Sequence, residues 1–254
     1  MCGRFAVTTD PALLAEKIHA IDEATEAAKE ARGPNYNVAP TATIATVVSR
    51  HSEPDDTPTR RVRLMRWGLV PSWVKATADG TPETKGPLLI NARAEKITSS
   101  PAFRASAKSK RCLVPMDGYY EWKPNPDTPA GKKSRKTPFY MHRADDEPLF
   151  MAGLWSVWKK DDEASPLLTC TIITTDAVGE LAEIHDRMPL IVQERDWDRW
   201  LDPDQPADAD LLAAPPDIAG IDLREVSTLV NAVRNNGPEL IEPVDPHNQP
   251  VGLF

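Results

Sequence analysis

The sequence predicts one domain that combines many short β-strands with a few short helices. Two apolar runs rich in β-branched residues, Thr43 to Val48 and Leu167 to Thr174, have the composition of buried strands. The clearest helix signal is Asp10-Pro11, where an aspartate can cap a helix whose first residue is proline. No long linker interrupts the 254 residues, so we expect a single domain over 1–254 with surface loop insertions.

The first half of the chain is predicted to alternate strands with one helix. A strand over Gly3 to Thr9 is followed by a helix with an apolar stripe at Leu14, Ile18 and Ile21. The later elements, in chain order, are a turn-rich stretch over Asn35 to Pro40, strands over Thr43 to Val48 and Val62 to Trp67 joined by a hairpin loop, and a strand over Leu88 to Ile90.

The second half is predicted to consist mostly of strands. Short helices are expected from Ser99 towards Lys108, over Ala177 to Ile184 and over Gln193 to Leu201. The strands are expected over Arg111 to Pro115, Gly118 to Trp122, Phe139 to His142, Phe150 to Trp158, Leu167 to Thr174 and Leu223 to Ser227. From Gly237 the chain reads as a proline-rich tail without much regular structure.

Composition and charge exclude several classes of protein. There is no apolar run of 18 residues and no N-terminal signal pattern, so we expect no membrane contact and a cytoplasmic protein. Three cysteines without a CxxC pair argue against a disulfide framework and against a zinc site, and no cofactor is indicated. The net charge of −8 and the pI near 5.2 are unlike those of a general nucleic-acid-binding protein.

The stretch Met1-Cys2-Gly3-Arg4 offers an unusual chemical group. Removal of Met1, which is usual before a side chain as small as that of cysteine, would leave Cys2 with a free α-amine beside its thiol. Because the ordinary pKa values are about 8 for the amine and about 8.5 for the thiol, neutral amine and thiolate both exist near pH 7. Such a pair can act as an N-terminal nucleophile with its own base, or it can condense with an aldehyde into a five-membered ring.

For two further residues, Glu121 and His185, the sequence indicates surroundings that would shift the pKa of the side chain. Glu121 stands between Tyr120 and Trp122 in an aromatic strand, where burial would raise its pKa. Strand alternation nevertheless favours the opposite face for Glu121, which predicts an outward-facing carboxylate. His185 ends a predicted helix, and the helix dipole there favours the protonated imidazole.

Seven motifs occur in an order that resembles the SRAP (SOS response-associated peptidase) family. They are MCGRF at 1–5, YNVAP at 36–40, WGLVPSW at 67–73, NARAE at 91–95, RCLVP at 111–115, GYYEW at 118–122 and HDRMP at 185–189. The resemblance covers Cys2 to about Pro243, beyond which the C-terminal tail begins. It implies an α+β fold in which helices flank a twisted, barrel-like antiparallel β-sheet.

The resemblance also implies a function, namely a covalent sensor of abasic sites in single-stranded DNA that acts as a monomer. An abasic deoxyribose opens to an aldehyde, where the Cys2 amine would form a Schiff base and the thiolate would then close a thiazolidine ring. A crosslink of this kind would protect the lesion. Removal of Met1 could be autocatalytic, and peptidase or weak lyase activity could accompany it.

Individual roles follow from the same resemblance. Cys2 matches the nucleophile, and Glu121 matches an acid and base that opens the sugar and reverses the crosslink. His185 matches a residue that assists at the sugar oxygen, and Asn91 one that positions the sugar. The DNA contacts implied by the resemblance are Arg4, Arg93 and Arg187 at flanking phosphates, and Asn37, Pro40, Trp67, Trp73 and Thr174 along the groove. The resemblance also places Glu121 in a cleft, in contrast to the prediction from alternation.

Three other functions remain open on the sequence. An N-terminal-nucleophile amidohydrolase would use the Cys2 amine as base for attack on an amide, but it has no need of Glu121 or of the HDRMP motif. A peptidase could pair Cys2 with His185. A DNA-binding module without covalent chemistry would show only reversible, salt-sensitive binding.

Overall fold

The structure is a computed structural model that describes residues 2–27, 33–84, 86–125 and 136–244. Within these ranges, thirteen strands form two sheets. The helices among these residues are α1 (Pro11–Lys17), α2 (Ala24–Ala27), α3 (Arg104–Ser109), α4 (Trp197–Leu201) and α5 (Ala209–Ala213). The strands are β1 (Phe5–Val7), β2 (Ile21–Asp22), β3 (Asn35–Val38), β4 (Thr43–Arg50), β5 (Thr59–Trp67), β6 (Asn91–Arg93), β7 (Arg111–Met116), β8 (Gly118–Pro124), β9 (Lys136–Arg143), β10 (Leu149–Trp158), β11 (Leu167–Asp176), β12 (Arg187–Pro189) and β13 (Ile221–Glu225).

The larger sheet closes on itself, as a barrel does. Its strands follow the order β12-β11-β10-β7-β4-β5-β2, with β6 paired to β11. In addition, β11 pairs in parallel with β5, where Thr169 and Cys170 lie beside Arg66 and Trp67. This pairing closes strands β11, β10, β7, β4 and β5 into a ring. The mixed α+β fold with a barrel-like sheet is therefore confirmed.

The smaller sheet, in the order β13-β9-β8-β1-β3, packs on the larger one. An apolar core between the two sheets contains side chains of both, among them Phe5 and Tyr119 from the smaller sheet and Trp67 and Met151 from the larger. The helices cover the other face of the larger sheet, where Trp200 of α4 is fully buried. A third cluster lies on the outer face of the smaller sheet, under the C-terminal segment formed by residues 226–244. Both faces of the smaller sheet are therefore covered.

Strand β1 brings the N-terminus into the middle of this arrangement. Phe5 pairs with Val38 of β3 on one side and with Tyr119 of β8 on the other. The ladder continues towards the N-terminus, because the backbone N–H of Tyr120 donates to the carbonyl of Arg4 at 3.0 Å. Arg4, the residue before β1, is thus held beside Tyr120 of β8.

Several predicted elements are wrong in detail. The helix after Asp10 ends at Lys17, because His19 adopts a positive φ of 52°, and Ile21 belongs to β2. The turn-rich stretch contains strand β3, and the strand predicted over Leu88 to Ile90 is displaced to β6. The helix predicted over Ala177 to Ile184 is a 3-10 turn over Gly179–Glu183 that begins at a glycine with a φ of +56°.

Strands β4, β5, β7, β8, β9, β10 and β11 overlap the strands predicted from the sequence, and α3 and α4 overlap the predicted helices. The predicted tail is described only as far as residue 244, and the rest of it lies outside the described residues, as does Met1. Within the described ranges, no helix has the length and apolarity that a membrane crossing requires.

Candidate active site and nucleic-acid interface

Cys2 is fully buried, just before β1. Burial raises the pKa of its thiol far above the ordinary range, and the negative charge of Glu121 raises it further. The thiol lies 3.9 Å from the carbonyl oxygen of Arg4, a contact that suits an S–H donor. In this environment the sulfur carries its proton at neutral pH and needs a nearby base before it can attack an electrophile.

Asn91 holds the backbone of Cys2. Its side-chain Nδ2 donates to the Cys2 carbonyl oxygen at 2.8 Å. Asn91 is the first residue of β6 and lies beside Ile172 of β11, so it is anchored in the larger sheet. Its Oδ1 is buried and accepts no hydrogen bond from a described residue, which leaves an acceptor at the site.

Glu121 faces the interior, with 3% of its surface exposed, so the outward orientation predicted from alternation is wrong. Alternation does hold along β8, since Tyr119 packs in the core between the sheets and Tyr120 packs beneath the C-terminal segment. The prediction failed because neither face of this sheet is left to water. Burial raises the pKa of Glu121 to about 7, so both its acid and its base forms exist near neutral pH.

Tyr119 is a polar residue of the site that was not predicted from the sequence. It lies two residues before Glu121 on the same face of β8, and its hydroxyl is buried without a hydrogen bond to a described residue. Burial, together with the charges of Cys2 and Glu121, raises its pKa. The signal in the sequence was the period of two that places it beside Glu121.

His185 lies in the short loop between the 3-10 turn over Gly179–Glu183 and β12. Burial lowers the pKa of its imidazole, so the protonated form predicted from a helix dipole is wrong. A 3-10 turn of five residues carries little dipole to oppose burial. The charges of Asp186 and Lys136 act on both His185 and Glu121, which places these two proton carriers in one neighbourhood.

Arg4 is half-buried, and hydrogen bonds hold its guanidinium in place. Its Nη1 donates to the Asn37 side-chain oxygen at 2.7 Å and to the Val230 carbonyl at 2.9 Å, and its guanidinium lies 5.9 Å from the Trp122 ring centre. Asn37 is buried, and its Nδ2 donates to the carbonyls of Val230, Ala232 and Asn235. The pair therefore ties the C-terminal segment to the strands that hold Cys2.

The other two predicted phosphate ligands differ in exposure. Arg93 is exposed at the end of β6 and is available to an anion. Arg187 is buried, and its guanidinium is occupied by Glu95, Asp176 and the carbonyl of Thr174. A phosphate that binds Arg187 would have to share the guanidinium with the carboxylates of Glu95 and Asp176. Thr174 itself is fully buried in β11, with its hydroxyl inside the protein.

The predicted groove residues lie at different depths. Trp67 is fully buried and donates from its indole nitrogen to the Ile90 carbonyl at 2.9 Å, so it can shape a groove only from beneath. Pro40 is half-buried, and Trp73 is 66% exposed. Trp73 lines a cavity of about 730 Å³, together with Arg66, Lys75 and Leu89.

The structure thus brings Cys2, Asn91, Glu121 and His185 towards one site from the N-terminus, β6, β8 and the loop before β12. Within the described ranges, no three His, Cys, Asp or Glu side chains are grouped as metal ligands. The chemistry that these residues can perform is nucleophilic attack at Cys2 with proton transfer by Glu121 and His185.

Comparisons with known proteins give the family. The model of the SOS response associated peptidase (SRAP) family matches residues 1–233. The abasic site processing protein YoqW of Bacillus subtilis (strain 168) is 37% identical over 246 residues, which cover 95% of this chain and 99% of YoqW. The abasic site processing protein HMCES of Gallus gallus is 32% identical over 273 residues, which cover 96% of this chain and 78% of HMCES.

Solved structures share the fold. A protein from Bacteroides thetaiotaomicron matches with a TM-score of 0.76 at 24% identity, covering 96% of this chain and all of that protein. A phage-related protein from Bordetella bronchiseptica matches with a TM-score of 0.63 at 28% identity, covering 89% of this chain and 94% of that protein.

Proposed function

The chain belongs to the SOS response associated peptidase (SRAP) family, and we propose that it processes abasic sites in single-stranded DNA through a covalent crosslink at Cys2. The relatives named as abasic site processing proteins support the choice of substrate. The observation that carries the chemistry is the placement of Cys2, whose carbonyl is held by Asn91 and whose thiol is under the influence of Glu121. Met1 must first be removed, because only then does Cys2 carry a free amine.

The raised pKa of the Cys2 thiol sets the order of the steps. The amine attacks C1 of the open abasic sugar, and loss of one water gives a Schiff base. The sulfur then adds to the same carbon, while its proton passes to the former amine nitrogen, and the thiazolidine ring closes. The net change is one new C–N bond, one new C–S bond and the loss of one water.

Glu121 supplies the proton transfers, and His185 assists the opening of the sugar. With a pKa of about 7, the Glu121 carboxylate can take the thiol proton as sulfur attacks, and its acid form can return a proton when the crosslink reverses. His185, neutral because burial lowers its pKa, can donate a hydrogen bond from its ring N–H to the sugar oxygen as the sugar ring opens. The unbonded Oδ1 of Asn91 offers an acceptor for a sugar hydroxyl.

The surface supports binding of an unpaired strand. Arg93 is an exposed cation beside Asn91, and Trp73 is an exposed aromatic ring at the cavity with Arg66 and Lys75. An aromatic ring stacks on any base, and cations along the groove contact the backbone, so binding would not depend on sequence. An acidic total charge is compatible with such a local cationic strip.

The crosslink is tested with single-stranded DNA that carries one abasic site. The wild type is expected to give a shifted band that survives heat and denaturant, whereas Cys2→Ala is expected to give none. Cys2→Ser is the matched control, because it keeps the amine but cannot close a thiazolidine, so any adduct should be labile. DNA whose abasic aldehyde has been reduced to an alcohol should not react. Absence of an adduct from protein verified to lack Met1 would overturn the proposal.

A further inference from the structure

Tyr119 carries a buried hydroxyl that makes no hydrogen bond to a described residue. Only 1% of the residue is exposed, so bulk water does not reach this hydroxyl. Tyr120, its neighbour on the other face of β8, has the usual arrangement, because its hydroxyl donates to the Tyr36 carbonyl at 2.7 Å. Buried polar groups are nearly always paired, so an unpaired donor in a reactive site points to a partner that forms during the reaction.

The Tyr119 hydroxyl lies within electrostatic range of the Cys2 sulfur. Burial is the main cause that raises the pKa of Tyr119, and the negative charges of Cys2 and Glu121 raise it further. Two contacts also lead from the sulfur to the backbone of this tyrosine. The sulfur lies 3.9 Å from the Arg4 carbonyl oxygen, and that oxygen accepts at 3.0 Å from the N–H of the peptide bond between Tyr119 and Tyr120. Both side chains belong to the core between the two sheets.

The contact that the sulfur makes suits a thiol but not a thiolate. The Arg4 carbonyl oxygen can accept from S–H, whereas it repels a sulfur that has lost its proton. Cys2 is fully buried, so water does not solvate the charge either, and an unpaired buried charge is costly. The sulfur therefore needs a hydrogen-bond donor when it ionises, and rotation about its own Cα–Cβ bond can turn it away from the carbonyl.

We propose that Tyr119 is a further catalytic residue, whose O–H donates a hydrogen bond to the Cys2 sulfur as the thiolate forms and closes the ring. This role rests on the proposed function. The S–H bond breaks and its proton passes to the Glu121 carboxylate, while the sulfur electron pair forms the C–S bond. The C=N electron pair returns to nitrogen, which takes the proton from Glu121. Tyr119 keeps its own proton throughout, because burial holds its phenol in the neutral form.

Tyr119→Phe removes only the hydroxyl and separates the two steps of the reaction. Formation of the Schiff base on abasic single-stranded DNA, measured by borohydride trapping, should keep the wild-type rate, because the amine makes that bond. Ring closure, measured as adduct that survives heat without borohydride, should slow by about tenfold to a hundredfold, as expected for the loss of a hydrogen bond to a charged atom. Ring closure at the wild-type rate would overturn the proposal.

Two comparisons assign the effect to the sulfur. In protein that carries Cys2→Ser, which has no sulfur, Tyr119→Phe should leave the borohydride-trapped adduct unchanged, and a further loss there would contradict the proposal. Tyr120→Phe is the matched control on the same strand. It leaves the Tyr36 carbonyl without its donor, so it should lower the free energy of unfolding and leave the rate of ring closure unchanged.

The stability of Tyr119→Phe distinguishes catalysis from a structural role. Loss of an unpaired buried hydroxyl should leave the free energy of unfolding as it is in the wild type or raise it. A Tyr119→Phe protein that is destabilised or does not fold would show that the hydroxyl holds a water molecule or a protein group in the resting state. That result would contradict its assignment to the sulfur.

Formaldehyde separates failure of this proposal from failure of the proposed function. It condenses with an N-terminal aminothiol to a thiazolidine without DNA, and the mass of the N-terminal peptide reports the product. Wild-type protein that lacks Met1 should react, and Tyr119→Phe should close the ring more slowly by the same factor. If the wild type reacts with formaldehyde but not with abasic DNA, the proposed function fails, while this comparison still decides the role of Tyr119. Equal rates with formaldehyde, or no reaction of the wild type, would count against the proposal.

Discussion

The side-chain amide of Asn91 donates a 2.8 Å hydrogen bond to the backbone carbonyl of Cys2. This one contact joins the N-terminal residues to β6, and through it to the barrel-like sheet. It fixes the carbonyl of the residue whose amine and thiol are both required for the proposed chemistry. An aminothiol in a frayed terminus would sample many orientations, and this contact restricts them.

Replacing Asn91 tests that restriction. Asn91→Ala leaves the Cys2 carbonyl without its donor, which costs about 1–3 kcal/mol for a buried acceptor. We expect slower adduct formation with the amine and thiol still present, together with a lower free energy of unfolding. Crosslinking time courses and chemical denaturation measure the two effects. An Asn91→Ala protein that crosslinks at the wild-type rate would show that this contact has no part in positioning Cys2.

The pH dependence of stability tests the burial of Glu121. The carboxyl has a pKa of about 7 when folded and an ordinary value near 4.5, so the folded state binds the proton more tightly. Stability is therefore greatest below pH 4.5 as far as this group is concerned, and this contribution is lost as the pH rises to about 7. The shift corresponds to at most about 3 kcal/mol.

Glu121→Gln removes this titration while keeping the size of the side chain. The variant should gain stability relative to the wild type as the pH rises from 5 to 8, as measured by denaturation at each pH. An equal difference in unfolding free energy at both pH values would mean that Glu121 titrates normally and is not buried.

The same variant tests the role of Glu121 in the reaction. The wild-type rate of adduct formation should change near pH 7, where the carboxyl changes from acid to base. Glu121→Gln should lack this inflection and should show slower adduct formation or slower reversal. Rate profiles with abasic single-stranded DNA between pH 5 and 9 provide the measurement, and superimposable profiles would remove Glu121 from the mechanism.

Trp67 and Trp73 provide a contrasting pair within one motif. Trp67 is fully buried, so Trp67→Ala should destabilise the fold by about 3–5 kcal/mol. Trp73 is 66% exposed, so Trp73→Ala should change stability by less than about 0.5 kcal/mol. If a base stacks on Trp73, its loss should weaken binding of undamaged single-stranded DNA by about 1–3 kcal/mol. Unchanged DNA affinity in a folded Trp73→Ala protein would exclude Trp73 from the interface.

Local sequence patterns predicted which residues form strands better than they predicted what packs against those strands. The β-branched runs that became β4 and β11 predict strands whatever they pack against, and both strands are present. The orientation of Glu121 could not be predicted in this way, because the C-terminal segment covers the Tyr120 side of β8. That segment lies more than a hundred residues further along the chain. No local pattern contains that information, and here the resemblance to a family supplied what alternation could not.

The Arg187 network shows the same limit. The sequence placed Arg187 beside His185, but its partner Glu95 comes from the end of β6, which meets it only because β6 and β12 both pair with β11. Likewise, the closure of the larger sheet rests on a parallel pairing between β5 and β11, strands separated by about a hundred residues. Contacts of this kind follow from topology, whereas sequence periodicity reports only which face of a strand is apolar.

The covalent chemistry at Cys2 can be tested directly by the mass of the N-terminal peptide after the wild-type adduct with abasic single-stranded DNA is digested. We predict a peptide that begins at Cys2, carries the sugar with the loss of one water, survives without a borohydride reduction, and has a sulfur that no longer reacts with iodoacetamide. A peptide that still begins at Met1, a Cys2 thiol that remains open to alkylation, or a sugar attached to a lysine would contradict the thiazolidine and the central role of Cys2.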